Sequence, residues 1–177
     1  MLQDKKNLLP YAMYAGIYLG LFWVLKYFFI IGANKIPAFA FIDSVLKIGT
    51  LFLLFYFLQK YKLRQDGGKM SYWHGVQFGI MLFFFASILE ACIAYVHIAF
   101  IEPSYIAKLY NNLYELAEQL PFSEKMIDQL KEQSLPSYFS YIFNNIILSN
   151  VFIGFILSLI VVPFIKDKKE QDADSPS

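Results

Sequence analysis

The sequence predicts an all-α membrane protein with four transmembrane helices and two amphipathic outer-side helices between spans three and four. Three observations carry that prediction. Hydrophobic residues make up 58% of the 177-residue chain and charged residues only 16%, where a soluble domain carries about a quarter charged. The charges cluster, which leaves apolar runs longer than the roughly 18 residues needed to cross a hydrocarbon core. Tyrosine and tryptophan gather at the ends of those runs, where amphipathic rings favour the headgroup zone: Tyr11, Tyr14, Tyr56, Tyr61, Tyr72 and Trp73 on one side, Tyr105, Tyr138 and Tyr141 on the other.

Span one runs from Tyr11 to Ile31 behind Lys5 and Lys6. It resembles a signal peptide, but it is too long and no small-x-small cleavage site follows, so it reads as a retained span. The turn Gly32 to Pro37 ends in a proline placed to open the next helix. Span two runs from Ala38 to Leu58. The stretch Gln59 to Ser71, with Lys60, Lys62, Arg64, Lys69 and the Gly67-Gly68 pair, is too polar to stay in lipid. Span three runs from Trp73 to Ile101, and Pro103 closes it by removing a helix donor.

From Glu102 to Ser137 the chain turns polar but keeps helical periodicity. Ile106, Leu109, Tyr110, Leu113, Leu116, Ala117 and Leu120 recur at spacings of three and four, which makes one apolar face. Ser104 is the predicted N-cap and Pro121 the stop. A shorter helix follows over Glu124 to Gln133, capped by Ser123. This outer segment, 104–133, is too polar to span and is expected over the bundle mouth or on the membrane surface. Span four runs from Tyr138 to Ile165 and stops at Lys166-Asp167-Lys168-Lys169. Residues 1–165 thus form one integral membrane domain, and the polar tail 166–177 is expected to be disordered.

The basic residues fix an orientation. They concentrate before span one, between spans two and three and after span four, whereas after span three Lys108, Lys125 and Lys131 are outnumbered by Glu102, Glu115, Glu118, Glu124, Asp128 and Glu132. The positive-inside rule places both termini and the 59–72 loop in the cytoplasm. A net charge of +1 argues against a nucleic-acid partner, which requires a basic surface to displace counterions from phosphates. Cys92, the single cysteine, reads as a small buried apolar residue.

Two sets of residues stand out within the spans. Gly16 and Gly20, Gly75 and Gly79, and Gly154 between Asn150 and Ser158 follow the small-x-x-x-small spacing that lets helix backbones approach closely. Ionisable residues form the second set, because a charge at the bilayer centre costs at least a few kcal/mol and is kept where it finds partners. Asp43 and Lys47 share a face of span two, and Glu90 and His97 a face of span three. At about 1.5 Å per residue from the outer ends, Lys47 and Glu90 both lie about 15 Å deep and pair, with Asp43 and His97 as a shallower second pair. Span four supplies Asn145, Ser149 and Asn150 at similar depths. Lys26 reads as snorkelling to the outer headgroups and His74 as solvated beside Trp73.

The arrangement Tyr61-Lys62-Leu63-Arg64, Gly68-Lys69-Met70-Ser71-Tyr72 and Gly75-Val76-Gln77-Phe78-Gly79 resembles an uncharacterised group of small four-span bacterial membrane proteins, domain-of-unknown-function family 4199. Ile101-Glu102-Pro103-Ser104-Tyr105 and the run Gly154 to Ile160 extend the resemblance over nearly the whole chain. It implies a four-helix protein of the bacterial cytoplasmic (inner) membrane and brings no catalytic residues with it. With no nucleotide, nucleophile or zinc-helix motif, neither enzyme activity nor a cofactor or metal is expected. The expected function is that of an accessory or scaffold protein binding membrane lipids, a second copy or another membrane protein. The alternative is a small transporter or channel-like component that handles a proton, ion or small solute through Asp43, Lys47, Glu90, His97, Asn145, Ser149 and Asn150.

Overall fold

The computed structural model describes residues 2–33, 38–64, 68–119 and 134–165, and every regular element among them is helical. Helix α1 covers Leu2–Ala33, α2 Ala38–Leu63 and α3 Tyr72–Val96. A π-turn, His97–Ile101, prolongs α3, and α4 follows over Tyr105–Glu118. The last rod consists of α5 (Tyr138–Ile142), a second π-turn (Phe143–Leu148), α6 (Ser149–Val161) and a closing 3-10 turn, Val162–Phe164. Three helical stretches, Asn7–Phe29, Tyr72–Ile101 and Tyr138–Phe164, are long and apolar enough to cross a membrane, which marks a membrane-embedded protein.

Helix α3 is the central element. It packs mainly against α1 and α6, while α2 lies chiefly beside α1. Small residues set these approaches. A Cβ added to Gly16 would fall 2.5 Å from Phe85 Cβ, and one on Gly20 3.0 Å from the Ala86 carbonyl oxygen, so α1 lies directly on the α3 backbone. On the opposite side of α3, Gly75 faces Val162 and Gly79 faces Ser158, while Gly154 of α6 receives Phe83. The main core fills in around Trp23, Leu54, Leu58, Phe78, Leu82 and Phe83. A smaller cluster of Ala91, Ile98, Ile106 and Ile142 joins α3, α4 and α5 at the other end.

Several sequence expectations change here. Helix α2 continues past Leu58 to Leu63 because its basic end has partners: Tyr61 stacks on Phe78 at 4.4 Å, and Lys62 donates to the Ile165 carbonyl at 2.8 Å. That cation answers a carbonyl left open where the last rod ends. Cys92 is exposed rather than buried. Ser104 precedes α4 but has helical backbone angles and makes no capping bond, whereas Ser137 accepts from the Ser140 amide at 3.2 Å. The predicted turn at 34–37, the 124–133 helix and the 166–177 tail lie outside the described residues.

Candidate functional site

A glutamate one-third of the way down a hydrophobic helix needs answering charge and hydrogen bonds. Glu90 is buried on α3. Its Oε2 accepts from the Asn150 side-chain amide of α6 at 2.6 Å, and its Oε1 lies 3.8 Å from the Lys26 ammonium of α1. Lys26 also sits over the Trp23 ring, 5.6 Å from its centroid. Trp23 in turn donates to Thr50 Oγ1 of α2 at 3.1 Å. The polar chain Thr50, Trp23, Lys26, Glu90 and Asn150 therefore runs through all the long helices.

Two helical turns on, a second layer forms around His97, itself buried. Tyr27 Oη lies 3.0 Å from His97 Nδ1, and His97 Nε2 lies 3.5 Å from Glu102 Oε2. The tautomer that serves both contacts accepts from Tyr27 at Nδ1 and donates toward Glu102 from Nε2. The π-turn makes this geometry: the Glu102 amide bonds the His97 carbonyl five residues back, at 2.8 Å, which brings the two side chains together. Tyr105 of α4 meets the imidazole edge-on at 5.3 Å. Lys108 donates to Glu102 at 2.7 Å, and this bond, above all, holds the Glu102 carboxyl below its usual range against the opposing effect of desolvation, with the Lys108 and His97 charges adding to it.

The expected Lys47 and Glu90 pairing is corrected. Lys47 is exposed on α2, and the cation at Glu90 is Lys26, because the glycines of α1 bring that helix, not α2, against this side of α3. Snorkelling is accordingly the wrong account of Lys26, whose side chain is only 13% exposed. His97 turns to Tyr27 and Glu102; the expected pairing with Asp43 rests on a side chain outside those described. Of the three span-four residues only Asn150 reaches across. Asn145 donates to the Tyr141 carbonyl and Ser149 to the Asn144 carbonyl, so both serve their own rod around the second π-turn. His74 is half-buried rather than solvated, with Nε2 2.7 Å from Tyr61 Oη.

Among the described residues no three His, Cys, Asp or Glu side chains gather as a metal would require. The layers instead pair acids and bases across helices. A family model described as "Protein of unknown function (DUF4199)" matches residues 14–167, a stretch that holds both layers. The chain belongs to the DUF4199 family. No curated protein and no solved structure matches it. In this DUF4199 chain the partners missed in the sequence were Lys26, Tyr27 and Glu102. Lys26 did carry a signal, as the only charge inside span one, which is by itself grounds to seek a buried acid.

Proposed function

We propose that the protein is an accessory or scaffold component of a bacterial cytoplasmic membrane, without enzymatic activity, that binds lipid or a membrane partner. The observation that carries this reading is how the polar groups are distributed. Glu90 is answered inside the bundle by Lys26 and Asn150, while large apolar side chains such as Phe41, Phe52, Phe100, Phe139 and Phe152 face outward. Such a body presents its surface, not its interior, to other molecules. A buried ion pair tied to a neutral amide fixes which helices meet and in what register. The partners that suit this surface are membrane lipids, a second copy of the chain or another membrane protein.

Four spans with both termini in the cytoplasm fit the geometry. Helix α2 has 26 residues, about 39 Å of rise, more than the roughly 30 Å of a hydrocarbon core. Lys62 meets Ile165, Arg64 lies over Tyr11 and Tyr61 meets His74. The start of α1, the end of α2, the start of α3 and the end of the last rod therefore share one face, the basic one, which the positive-inside rule places in the cytoplasm. The apolar face of α4, with Leu113 and Leu116 exposed, suits the outer membrane surface. In a Cys92→Ser background, Lys69→Cys is expected to react with impermeant thiol reagents only after the cell is opened, and Gln119→Cys in intact cells. The reverse pattern would overturn the orientation.

One observation favours the alternative of a transporter or channel-like component: a π-turn ends α3 and another interrupts the last rod beside the polar layers, and such turns recur at functional sites. Proteoliposome flux separates the two readings. For a scaffold, proton and cation flux is expected to match that of empty liposomes, both in wild type and in Glu90→Gln. Protein-dependent flux abolished by Glu90→Gln would establish the alternative instead.

A further inference from the structure

A groove between α1 and α2 opens at the basic face and runs into the apolar zone. It encloses about 550 Å³, with Tyr14, Tyr18 and Phe22 on one wall and Leu53 and Tyr56 on the other. Lys60 and Arg64 stand at its mouth. There it meets a second cavity of about 600 Å³, which shares Tyr11, Tyr14 and Arg64 and adds the polar Asn7.

The groove is graded in polarity. Both mouth cations lie over aromatic faces, Arg64 4.9 Å from the Tyr11 centroid and Lys60 5.0 Å from that of Tyr56, which orients them with no acidic partner among the described residues. Next come the Tyr14 and Tyr18 hydroxyls, 2.8 Å apart. Beyond them Phe22 and Leu53 leave only hydrocarbon. From Tyr11 to Phe22 the helix rises about 16 Å, close to half of a roughly 30 Å hydrocarbon core and thus the depth of one leaflet. A molecule that fits has an anionic head, hydrogen-bonding groups just below it and an apolar tail one leaflet long.

We propose that this groove is a binding site for an anionic glycerophospholipid, with the phosphate between Lys60 and Arg64, the glycerol region at Tyr14 and Tyr18, and one acyl chain along Phe22 and Leu53. The charge complementarity is specific to a phosphate without a compensating cation, because a zwitterionic choline head would bring its own positive charge to the two basic side chains. The proposal rests on the reading of the chain as a lipid-binding membrane protein, and it names the site and the lipid class. It fits the inner leaflet, where anionic lipids attract basic segments.

Native mass spectrometry of the detergent-purified full chain, incubated with equal amounts of phosphatidylglycerol and phosphatidylcholine, tests it. Wild type is expected to retain one phosphatidylglycerol, preferred at least tenfold, and Lys60→Gln/Arg64→Gln to lose that preference. The control Lys69→Glu, which lowers the net charge by the same two units at an exposed position outside the groove, is expected to keep it. Glycerol 3-phosphate, the same head without acyl chains, is expected to leave the bound lipid in place. An unchanged preference in Lys60→Gln/Arg64→Gln, an equal loss in the control, or displacement by glycerol 3-phosphate overturns the groove and leaves lipid binding elsewhere standing. Wild type retaining neither lipid overturns both the groove and the lipid-binding half of the proposed function.

Discussion

Replacing Glu90 alone with leucine is expected to destabilise the bundle by about 4 kcal/mol, and adding Lys26→Met to the same chain to recover most of that loss. The reasoning starts from what each single change strands. Without Glu90, the Lys26 ammonium keeps, among the described residues, the Trp23 face alone, and the Asn150 amide loses its 2.6 Å acceptor. A buried charge left without its partner costs about 3–5 kcal/mol, and an unsatisfied buried donor about 1–3 kcal/mol. The lower end applies because Lys26 has a long stem and can swing part-way toward the headgroups. Removing both charges together strands neither charge, and apolar side chains of similar volume often replace a buried pair without loss; the half-buried Asn150 amide still lacks its acceptor, which is the part not recovered.

Equilibrium unfolding of the four chains in mixed detergent micelles gives the coupling between the two positions directly. A double variant as unstable as Glu90→Leu would sink the pairing, since it would mean that Glu90 acts through something other than Lys26. The cycle also bears on function. In the scaffold reading the stable double variant keeps its activity as a partner, whereas a pathway built on Glu90 would lose transport with the fold intact.

The class of this protein was legible because hydrocarbon solubility is a sum over many residues, and no single misreading of a side chain changes the sum. Level along the rods was legible in part for the same reason: rise per residue is nearly constant, and Asn150, counted to a depth similar to that of Glu90, is the span-four residue that reaches it. The partner helix could not be read that way. Whether Glu90 meets Lys26 or Lys47 depends on which helix lies nearer, and that is settled by Gly16 and Gly20 meeting the α3 backbone at Phe85 to Leu89, a match of two surfaces with no expression in one sequence segment. The small-residue pattern was visible; its facing surface was not. The π-turn at His97 was equally hidden, since it reflects a shift of hydrogen bonding by one residue, and with it went the contact between His97 and Glu102.

The same reasoning gives the second large effect, at Gly79. Helices α3 and α6 interlock through two reciprocal notches one turn apart: Gly79 receives Ser158, and Gly154 receives Phe83. A Cβ at position 79 would clash with Ser158 Oγ and lie 2.8 Å from Ser158 Cβ. Ser158 is fully buried and its hydroxyl is committed to the Gly154 carbonyl at 2.6 Å, so the side chain cannot turn away without giving up that bond. Gly79→Ala is therefore expected to destabilise by about 1–3 kcal/mol, the usual range for overpacking. This runs against intrinsic helix preference, which favours alanine by about 1 kcal/mol, so a net loss isolates the packing effect. Pairing the change with Ser158→Gly empties the opposing notch and is expected to restore part of the stability, while Gln77→Ala, on the exposed side of the same helix, should stay within about 0.5 kcal/mol of wild type. Thermal unfolding in one detergent compares all of them. Gly79→Ala as stable as wild type would show that α3 and α6 can separate at little cost, and the interlock would then not be what holds the last rod against the centre of the bundle.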